Sequence, residues 1–236
     1  MTSPHNSHNL EVYSLNSSAA ADFLAVNKSV QIAIKHWIES LSPSTSDEIK
    51  VLELGSSSRP TRWQTISSLT TNKKWHVTLS DFSLNALPPI ELLPNTSNFY
   101  FSYKKLDLLS DPLPSKSSYD FIIATYVFDA IWFPQDKYIN SINYPGGLIA
   151  KVQEAFSTCL TNGFFISIDR TSTKLVPEYE LSGPARFKTE NYQLAKSNLE
   201  SLGFKVSLLP LDSFLLTASV PLPLDLSDHS VLIVSK

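Results

Sequence analysis

The sequence predicts a doubly wound α/β fold with a mostly parallel sheet of seven strands, an antiparallel last strand and an N-terminal helix. Three observations predict it. Seven short apolar runs alternate with helical or loop segments, the runs FIIAT and FFISI are apolar at nearly every position, and 236 residues suffice for one ordinary domain but not for two full-sized ones. Because strands buried on both faces are apolar throughout, this pattern is typical of a parallel sheet.

The N-terminal residues divide into a tail and a helix. Residues 1–18 are rich in Ser, Asn and His and offer little to bury, so they predict a flexible tail ahead of a single domain over 19–236. Over 19–41, apolar residues recur at helical spacing and form one stripe: Phe23, Val26, Val30, Ile34, Trp37, Ile38 and Leu41. This stripe predicts a helix that packs on the body of the domain.

The predicted strands follow one another at regular intervals after this helix. They span 50–54, 75–80, 99–106, 119–125, 163–169, 204–209 and 230–235, with helices predicted over 60–69, 148–160 and 189–202. The Pro-rich segment between the last two strands has no convincing helical pattern, and a parallel pair needs a long crossover that is usually a helix. The last pairing is therefore predicted to be antiparallel.

Composition excludes several classes of function. The 19 Lys and Arg against 22 Asp and Glu give a net charge of −3, and no basic run is present, so nucleic acid is not an expected partner. The single cysteine, Cys159, excludes an intrachain disulfide and a cysteine-cluster metal site. No segment holds about 18 uninterrupted apolar residues. We expect a cytoplasmic protein with no membrane segment and no metal.

The loop after the first strand, in VLELGSSSRPTRW, combines a tight turn with a helix start. Gly55 lets the backbone approach a ligand closely, and the serines that follow are candidate helix caps. The dinucleotide fingerprint G-x-G-x-x-G is absent, because Ser57 and Pro60 stand where its second and third glycines would be. The loop therefore favours a cofactor without a phosphate, although a turn with a purely structural role explains it equally well.

An acidic residue ends the second strand. Asp81 lies 26 positions after Gly55, where a carboxylate can accept hydrogen bonds from both hydroxyls of a ribose. A solvated aspartate at a strand end would look the same. Taken together, Asp81 and Gly55 favour the ribose interpretation.

The order of these motifs resembles class I S-adenosylmethionine (SAM)-dependent methyltransferases, which have a seven-stranded Rossmann-like sheet. The resemblance rests on E-x-G at Glu53 and Gly55, on DFSLNAL after the second strand, and on D-x-x-x-x-P-L-P followed by YD and an apolar strand over 107–125. A late helix, GF and two closing strands over 191–235 also fit, so the resemblance spans about 19–236. The family usually carries further glycines after Gly55, where this chain has SSSR at 56–59.

The resemblance implies SAM as cofactor and a role for each matching position. Glu53 and Gly55 would lie near its methionine portion, and Asp81 would hold the ribose. The adenine would be flanked by Phe82 and contacted at its edge by Asp107 and Leu108. Thr125 and Tyr126, at the end of the fourth strand, would face the sulfonium.

The acceptor side of the site is expected in the segment after the fourth strand. Asp129 is the nearest ionisable side chain and is the candidate catalytic base, or a ligand for a substrate amine; a helix cap or a solvated carboxylate is the alternative. The loop over 129–147 is long and aromatic, and Trp132, Phe133 and Tyr138 are candidate substrate contacts. Local packing of the loop would explain these rings equally well.

The sequence therefore predicts a SAM-dependent methyltransferase that transfers a methyl group to an oxygen or nitrogen of a small-molecule acceptor. A non-catalytic methyltransferase-like binding domain and a protein or peptide methyltransferase remain as alternatives, and a nicotinamide dehydrogenase is disfavoured by the missing glycines.

Overall fold

Helices and strands alternate along most of the chain. A computed structural model describes residues 17–42, 47–56, 61–69, 71–115, 119–125, 127–128, 147–170, 189–217 and 229–236. Within them the helices are α1 (Ser17–Leu41), α2 (Thr61–Ser67), α3 (Leu148–Thr158), α4 (Thr189–Ser201) and α5 (Leu211–Thr217). The strands are β1 (Glu48–Leu54), β2 (Lys74–Asp81), β3 (Phe99–Lys105), β4 (Tyr119–Thr125), β5 (Leu160–Arg170), β6 (Lys205–Pro210) and β7 (His229–Ser235).

The seven strands form one sheet in the order β3-β2-β1-β4-β5-β7-β6. Strands β1 to β5 are parallel, and β7 is antiparallel to both β5 and β6. Each predicted strand is present, and the predicted doubly wound sheet with an antiparallel last strand is confirmed. From the central β1 the chain builds β2 and β3 on one side and then β4 and β5 on the other. The order thus reverses between β1 and β4, and such a switch point is where open α/β sheets bind ligands.

A hydrophobic core covers each face of the sheet. Helices α1, α2 and α5 contribute to one core, with Val51, Phe121 and Ile123 from the strands. Helices α3 and α4 contribute to the other, with Leu52 and Ile122. Neighbouring strand residues enter opposite cores because successive side chains of a strand point to opposite faces. Burial on both faces explains why FIIAT is apolar at every position before Thr125.

Helix α1 packs on the first of these cores through the predicted stripe. Val30, Ile34 and Ile38 are at most 1% exposed. Trp37 meets Phe164 edge-on, with the ring centroids 5.3 Å apart. The predicted packing is therefore confirmed for the stripe residues from Val30 to Ile38, whereas Leu41, the last residue of the predicted stripe, is 37% exposed.

The prediction that no helix lies between the last two strands is wrong. Helix α5 follows β6 directly and has the sequence LDSFLLT. Its Leu211, Phe214 and Leu215 have the i, i+3, i+4 spacing of an apolar helix face and are at most 1% exposed. A helix of seven residues has little stability of its own, so packing on the core specifies it, and the nearby prolines obscured its pattern.

Membrane-spanning helices and metal-binding clusters are both absent from the described residues. No helix among them combines the length and apolar character needed to cross a membrane. Nor do they contain a group of three or more His, Cys, Asp or Glu side chains placed to hold a metal ion. The cytoplasmic location, the flexible tail over 1–18 and the single domain over 19–236 stay predictions.

Candidate functional site

The carboxyl edge of the sheet is the edge at which the parallel strands β1 to β5 end: Leu54, Asp81, Lys105, Thr125 and Arg170. Backbone hydrogen bonds connect neighbouring strand ends there, from Ser56 N to Ser80 O at 2.9 Å and from Leu106 N to Asp81 O at 2.8 Å. The structure therefore brings the segments after β1, β2 and β3 together, as the sequence predicted for Gly55, Asp81 and Asp107.

Gly55 lies at the switch point and is required there for two reasons. Its φ of +61° is in the left-handed region, which side chains other than glycine seldom adopt. A Cβ atom at this position would lie 2.8 Å from Val127 Cγ2, in the segment that follows β4. The turns after β1 and β4 therefore approach each other closely at Gly55, with room for a backbone but not for a side chain.

Ser56, the first serine after Gly55, is used by the sheet itself. It is 8% exposed. Its hydroxyl accepts a hydrogen bond from Ser80 N at 3.1 Å and donates to Glu53 O at 3.3 Å. The side chain thus joins the ends of β1 and β2 instead of capping α2. Residues 57–60 lie outside the described residues.

Asp81 and Phe82 occupy the end of β2 as predicted. Asp81 is 8% exposed, and its Oδ1 accepts a hydrogen bond from Phe82 N at 2.8 Å. The ring of Phe82 is 43% exposed although it is a large apolar group. The carboxylate is therefore held in a fixed orientation beside an aromatic surface that solvent reaches.

Asp107 organises the turn after β3. Its Oδ1 accepts a hydrogen bond from Leu109 N at 3.0 Å, and its own N donates to Asp111 Oδ2 at 2.9 Å. Leu108 is 7% exposed and belongs to the core that α3 and α4 cover. Its side chain is thus committed to packing, which leaves its backbone as the part that can face a ligand.

Thr125 ends β4 next to the switch point. The residue is 4% exposed, and among the described residues its Oγ1 has no hydrogen-bond partner. A buried hydroxyl without a partner costs about 1 to 3 kcal/mol, so such groups usually have a ligand or water to satisfy them. The other predicted residues after β4, namely Tyr126, Asp129, Trp132, Phe133 and Tyr138, lie outside the described residues.

Comparison with known proteins finds neither a matching family model nor a matching curated protein. Solved structures do match. A plantazolicin methyltransferase, BpumL, in complex with a triazolic desmethylPZN analogue and SAH aligns with a TM-score of 0.61 at 12% identity, over 99% of this chain and 91% of that one. A loganic acid methyltransferase with SAH aligns with a TM-score of 0.52 at 13% identity, over 95% of this chain and 96% of that one. A CurJ carbon methyltransferase aligns with a TM-score of 0.53 at 18% identity, over 98% of this chain and 59% of that one.

The chain has the class I methyltransferase fold. The predicted resemblance is thereby confirmed for the fold. In this methyltransferase fold the switch point between β1 and β4 lies at Gly55 and Val127, so the residues described above surround the place where the fold class binds its ligand.

Glu53 has structural contacts that the sequence did not predict. It is 1% exposed, its Oε2 accepts a hydrogen bond from Trp63 Nε1 at 2.6 Å, and its Oε1 forms an ion pair with Arg62. Both partners lie on α2, so the carboxylate attaches this helix to β1. Its predicted place near the methionine portion of a cofactor stays a prediction, and the fixed position of α2 is what the contacts establish.

Two side chains of α3 hold the segment between β3 and β4. Lys151, 2% exposed, donates to Asp111 O and to Glu154 Oε2, both at 2.9 Å. Glu154 Oε1 accepts a hydrogen bond from Leu113 N at 2.6 Å. Sequence reasoning missed both residues, which support the turn of Asp107 by bonding to the backbone that follows it. A lysine at an apolar helix position was the signal for it, since a buried lysine needs acceptors.

A third feature that sequence reasoning missed is a buried carboxylate at the end of β5. Asp169 is fully buried, and its Oδ1 accepts a hydrogen bond from Phe128 N at 3.0 Å. Its Oδ2 accepts hydrogen bonds from Ser167 Oγ at 2.5 Å and from the hydroxyl of Tyr192 on α4. The signal in the sequence was that two polar residues, Ser167 and Asp169, alternate with apolar residues in the run FFISID.

Proposed function

We propose that this protein is a SAM-dependent methyltransferase that methylates an oxygen or nitrogen of a small-molecule acceptor. The observation that carries the proposal is the buried Thr125 hydroxyl, which has no partner among the described residues at the switch point of a class I methyltransferase fold. A ligand bound across Gly55 would lie beside this hydroxyl and could compensate for its burial.

The residues on the carboxyl edge fit SAM well. Gly55 supplies a turn in which only backbone faces its neighbour, and Asp81 supplies a fixed carboxylate with capacity for ribose hydroxyls, because each carboxylate oxygen can accept more than one hydrogen bond. The exposed ring of Phe82 is placed next to Asp81, where it would flank the adenine. Asp107 and the backbone of Leu108 would contact the adenine edge.

The charges on this edge are of both signs. Asp81 ends β2 and Asp107 follows β3 by two residues, while Lys105 ends β3 and Arg170 ends β5 there. The missing glycines, and not the charge of the edge, therefore disfavour a nicotinamide dinucleotide.

The chain's own contribution would be to orient the acceptor and exclude water. When bound, SAM would supply an activated methyl group, which the acceptor oxygen or nitrogen takes up as the bond from the methyl carbon to sulfur breaks and SAH leaves. We propose Thr125 and Tyr126 as the residues that face the sulfonium, and Asp129 as the base that accepts the proton of a hydroxyl acceptor. Trp132, Phe133 and Tyr138 are proposed acceptor contacts.

The acceptor class rests on charge and on the structural neighbours. The chain carries a net charge of −3, which does not favour a polyanionic acceptor. Among the neighbours, one is named for loganic acid, and the BpumL complex contains a desmethylPZN analogue.

The non-catalytic alternative was suggested by the serines after Gly55. Ser56 weakens it, because its side chain bonds to the backbone of β1 and β2.

Replacing Asp81 is expected to weaken cofactor binding. Asp81→Ala removes hydrogen bonds to a charged acceptor, so the Kd for SAM and for SAH should rise by roughly 10- to 150-fold, equivalent to about 1.5 to 3 kcal/mol. Isothermal titration calorimetry on the full chain measures this directly. The matched control is Asp212→Ala, because Asp212 Oδ1 also accepts a hydrogen bond from the next residue, Ser213 N, at 2.6 Å, but adjoins β6 on the far side of the sheet.

The control variant should bind both compounds like the wild type. Absence of binding by the wild-type chain at millimolar SAM and SAH would overturn the proposed cofactor.

Given binding, incubation with methyl-labelled SAM and a cell extract tests the acceptor class. Label is expected in low-mass material, and label confined to protein would replace the small-molecule acceptor by a protein one.

A further inference from the structure

The buried network of Asp169, Ser167 and Tyr192 lies between β5 and α4, and all three residues are fully buried. A carboxylate in such a place is costly unless donors surround it. Three donors do so here: Phe128 N, the Ser167 hydroxyl and the Tyr192 hydroxyl. The Ser167 and Tyr192 oxygens are also 3.2 Å apart, within hydrogen-bond distance of each other. The network is therefore tightly connected inside the protein.

One donor, Phe128 N, ties this network to the candidate site. Phe128 comes three residues after Thr125, the last residue of β4, and its amide bonds to a side chain of the neighbouring strand instead of to the strand ladder. Its ring is also fully buried and packs on Phe165 of β5, with centroids 6.4 Å apart. The segment that leaves β4 is thus held by β5 at both backbone and side chain.

Val127 connects this attachment to the switch point. It precedes Phe128, and its Cγ2 lies 2.8 Å from the place that a Cβ on Gly55 would take. A shift of Phe128 would carry Val127 toward or away from Gly55, because adjacent residues are joined by a planar peptide of fixed length. The bond from Phe128 N to Asp169 therefore controls how closely the turns after β1 and β4 approach.

We infer that Asp169 is a positioning residue: together with Ser167 and Tyr192 it fixes the segment after β4 so that Val127 closes the cofactor site against Gly55. This inference rests on the proposed function for the identity of the ligand. An apolar cluster of the same volume would pack at least as stably in many proteins, but it could not fix a backbone N–H at one point. Geometry at the site, more than stability, is the property that a carboxylate supplies here.

The test compares two variants of the network with one matched control. Asp169→Asn replaces an acceptor oxygen by an NH2 group that faces hydroxyl donors, and Tyr192→Phe removes one donor while keeping the ring. The control is Tyr119→Phe, because the Tyr119 hydroxyl donates to Thr78 Oγ1 at 3.3 Å near the start of β4, at the opposite edge of the sheet. Three quantities are measured on the full chain: thermal unfolding, SAH affinity by calorimetry, and hydrogen exchange of the Phe128 amide without ligand.

In Asp169→Asn the Phe128 amide is expected to exchange about tenfold faster and the Kd for SAH to rise about tenfold at a temperature where the protein is folded. Tyr192→Phe should move both quantities in the same direction by less, and it keeps the inference falsifiable if the first variant does not fold. Tyr119→Phe should change neither.

Two results would overturn the inference. Unchanged exchange of the Phe128 amide in Asp169→Asn and Tyr192→Phe would show that the network does not hold this segment. Faster exchange or a lower Tm with wild-type SAH affinity would make the network a purely structural one. If the wild-type chain binds no SAH, the proposed function fails by itself, and the Phe128 exchange alone still decides whether Asp169 positions the segment.

Discussion

Glu53→Gln is expected to lower the free energy of unfolding by about 3 kcal/mol. The substitution keeps the shape of the side chain but removes the negative charge that the Arg62 guanidinium faces. Breaking a buried ion pair by neutralising one partner typically costs about 3 to 5 kcal/mol. We expect the lower end, because the side chain of Arg62 is 16% exposed while that of Glu53 is 1% exposed.

The matched control is Glu200→Gln, which neutralises the exposed ion pair of Lys196 and Glu200 on α4. Exposed pairs contribute about 0 to 1 kcal/mol, so this variant should unfold nearly like the wild type. Adding Arg62→Met to Glu53→Gln should recover part of the loss, since no charge then stays without its partner. Equal losses in Glu53→Gln and Glu200→Gln would contradict the assignment of Glu53 as the anchor of α2.

The thiol of Cys159 can be used to measure these stabilities without introducing a new reactive residue. It is the only cysteine of the chain, and it is 4% exposed. Burial raises the pKa of its thiol, a side-chain hydrogen bond with Thr158 partly offsets this rise, and the charge of Glu154 adds a smaller increase. Because the thiolate is the reactive form, the folded protein should be alkylated slowly. The alkylation rate in urea then reports the unfolded fraction alongside circular dichroism.

The sequence contained enough information to predict the sheet and the places where its strands end. Strand β4 is observed over Tyr119–Thr125 as predicted, because a run that is apolar on both faces has no alternative location. The positions of Asp81 and Asp107 followed from this, since parallel strands end at a common edge. The short helix α5 escaped prediction because its stability comes from packing that no local pattern records.

The contacts of the candidate site could not be predicted in the same way. Asp169 and Tyr192 are 23 positions apart and meet only because α4 packs back on β5. Glu53 was expected near the methionine portion of SAM because of the resemblance to class I methyltransferases, whereas its contacts with Arg62 and Trp63 depend on how α2 packs against β1. The side chain of Leu108 lies in the core that α3 and α4 cover, and its burial likewise depends on packing between distant parts of the chain. Sequence patterns thus located the carboxyl edge of the sheet, and only packing shows which side chains are committed to the protein.

Gly55→Ala is expected to lower the free energy of unfolding by about 2 to 5 kcal/mol and to weaken SAH binding at least about tenfold. Two costs add up. A left-handed φ costs a residue with a Cβ about 1 to 2 kcal/mol, and the Cβ would lie 2.8 Å from Val127 Cγ2, an overlap that typically costs about 1 to 3 kcal/mol. The affinity should fall because Val127 must move out of its place beside the site to relieve the overlap.

Two further variants separate these costs. Gly203→Ala has a φ of +88° but no atom within 4 Å of the added Cβ, so it should show the conformational cost alone, with SAH affinity unchanged. In Gly55→Ala/Val127→Ala the colliding methyl groups are absent, so part of the stability lost in Gly55→Ala should return, measured against Val127→Ala alone. The denaturation midpoint and calorimetric Kd of each variant decide the matter. If Gly55→Ala behaved like Gly203→Ala in both measurements, the close approach of the turns after β1 and β4 would not affect the site. The inference that Asp169 acts on cofactor binding through Phe128 and Val127 would then be wrong as well.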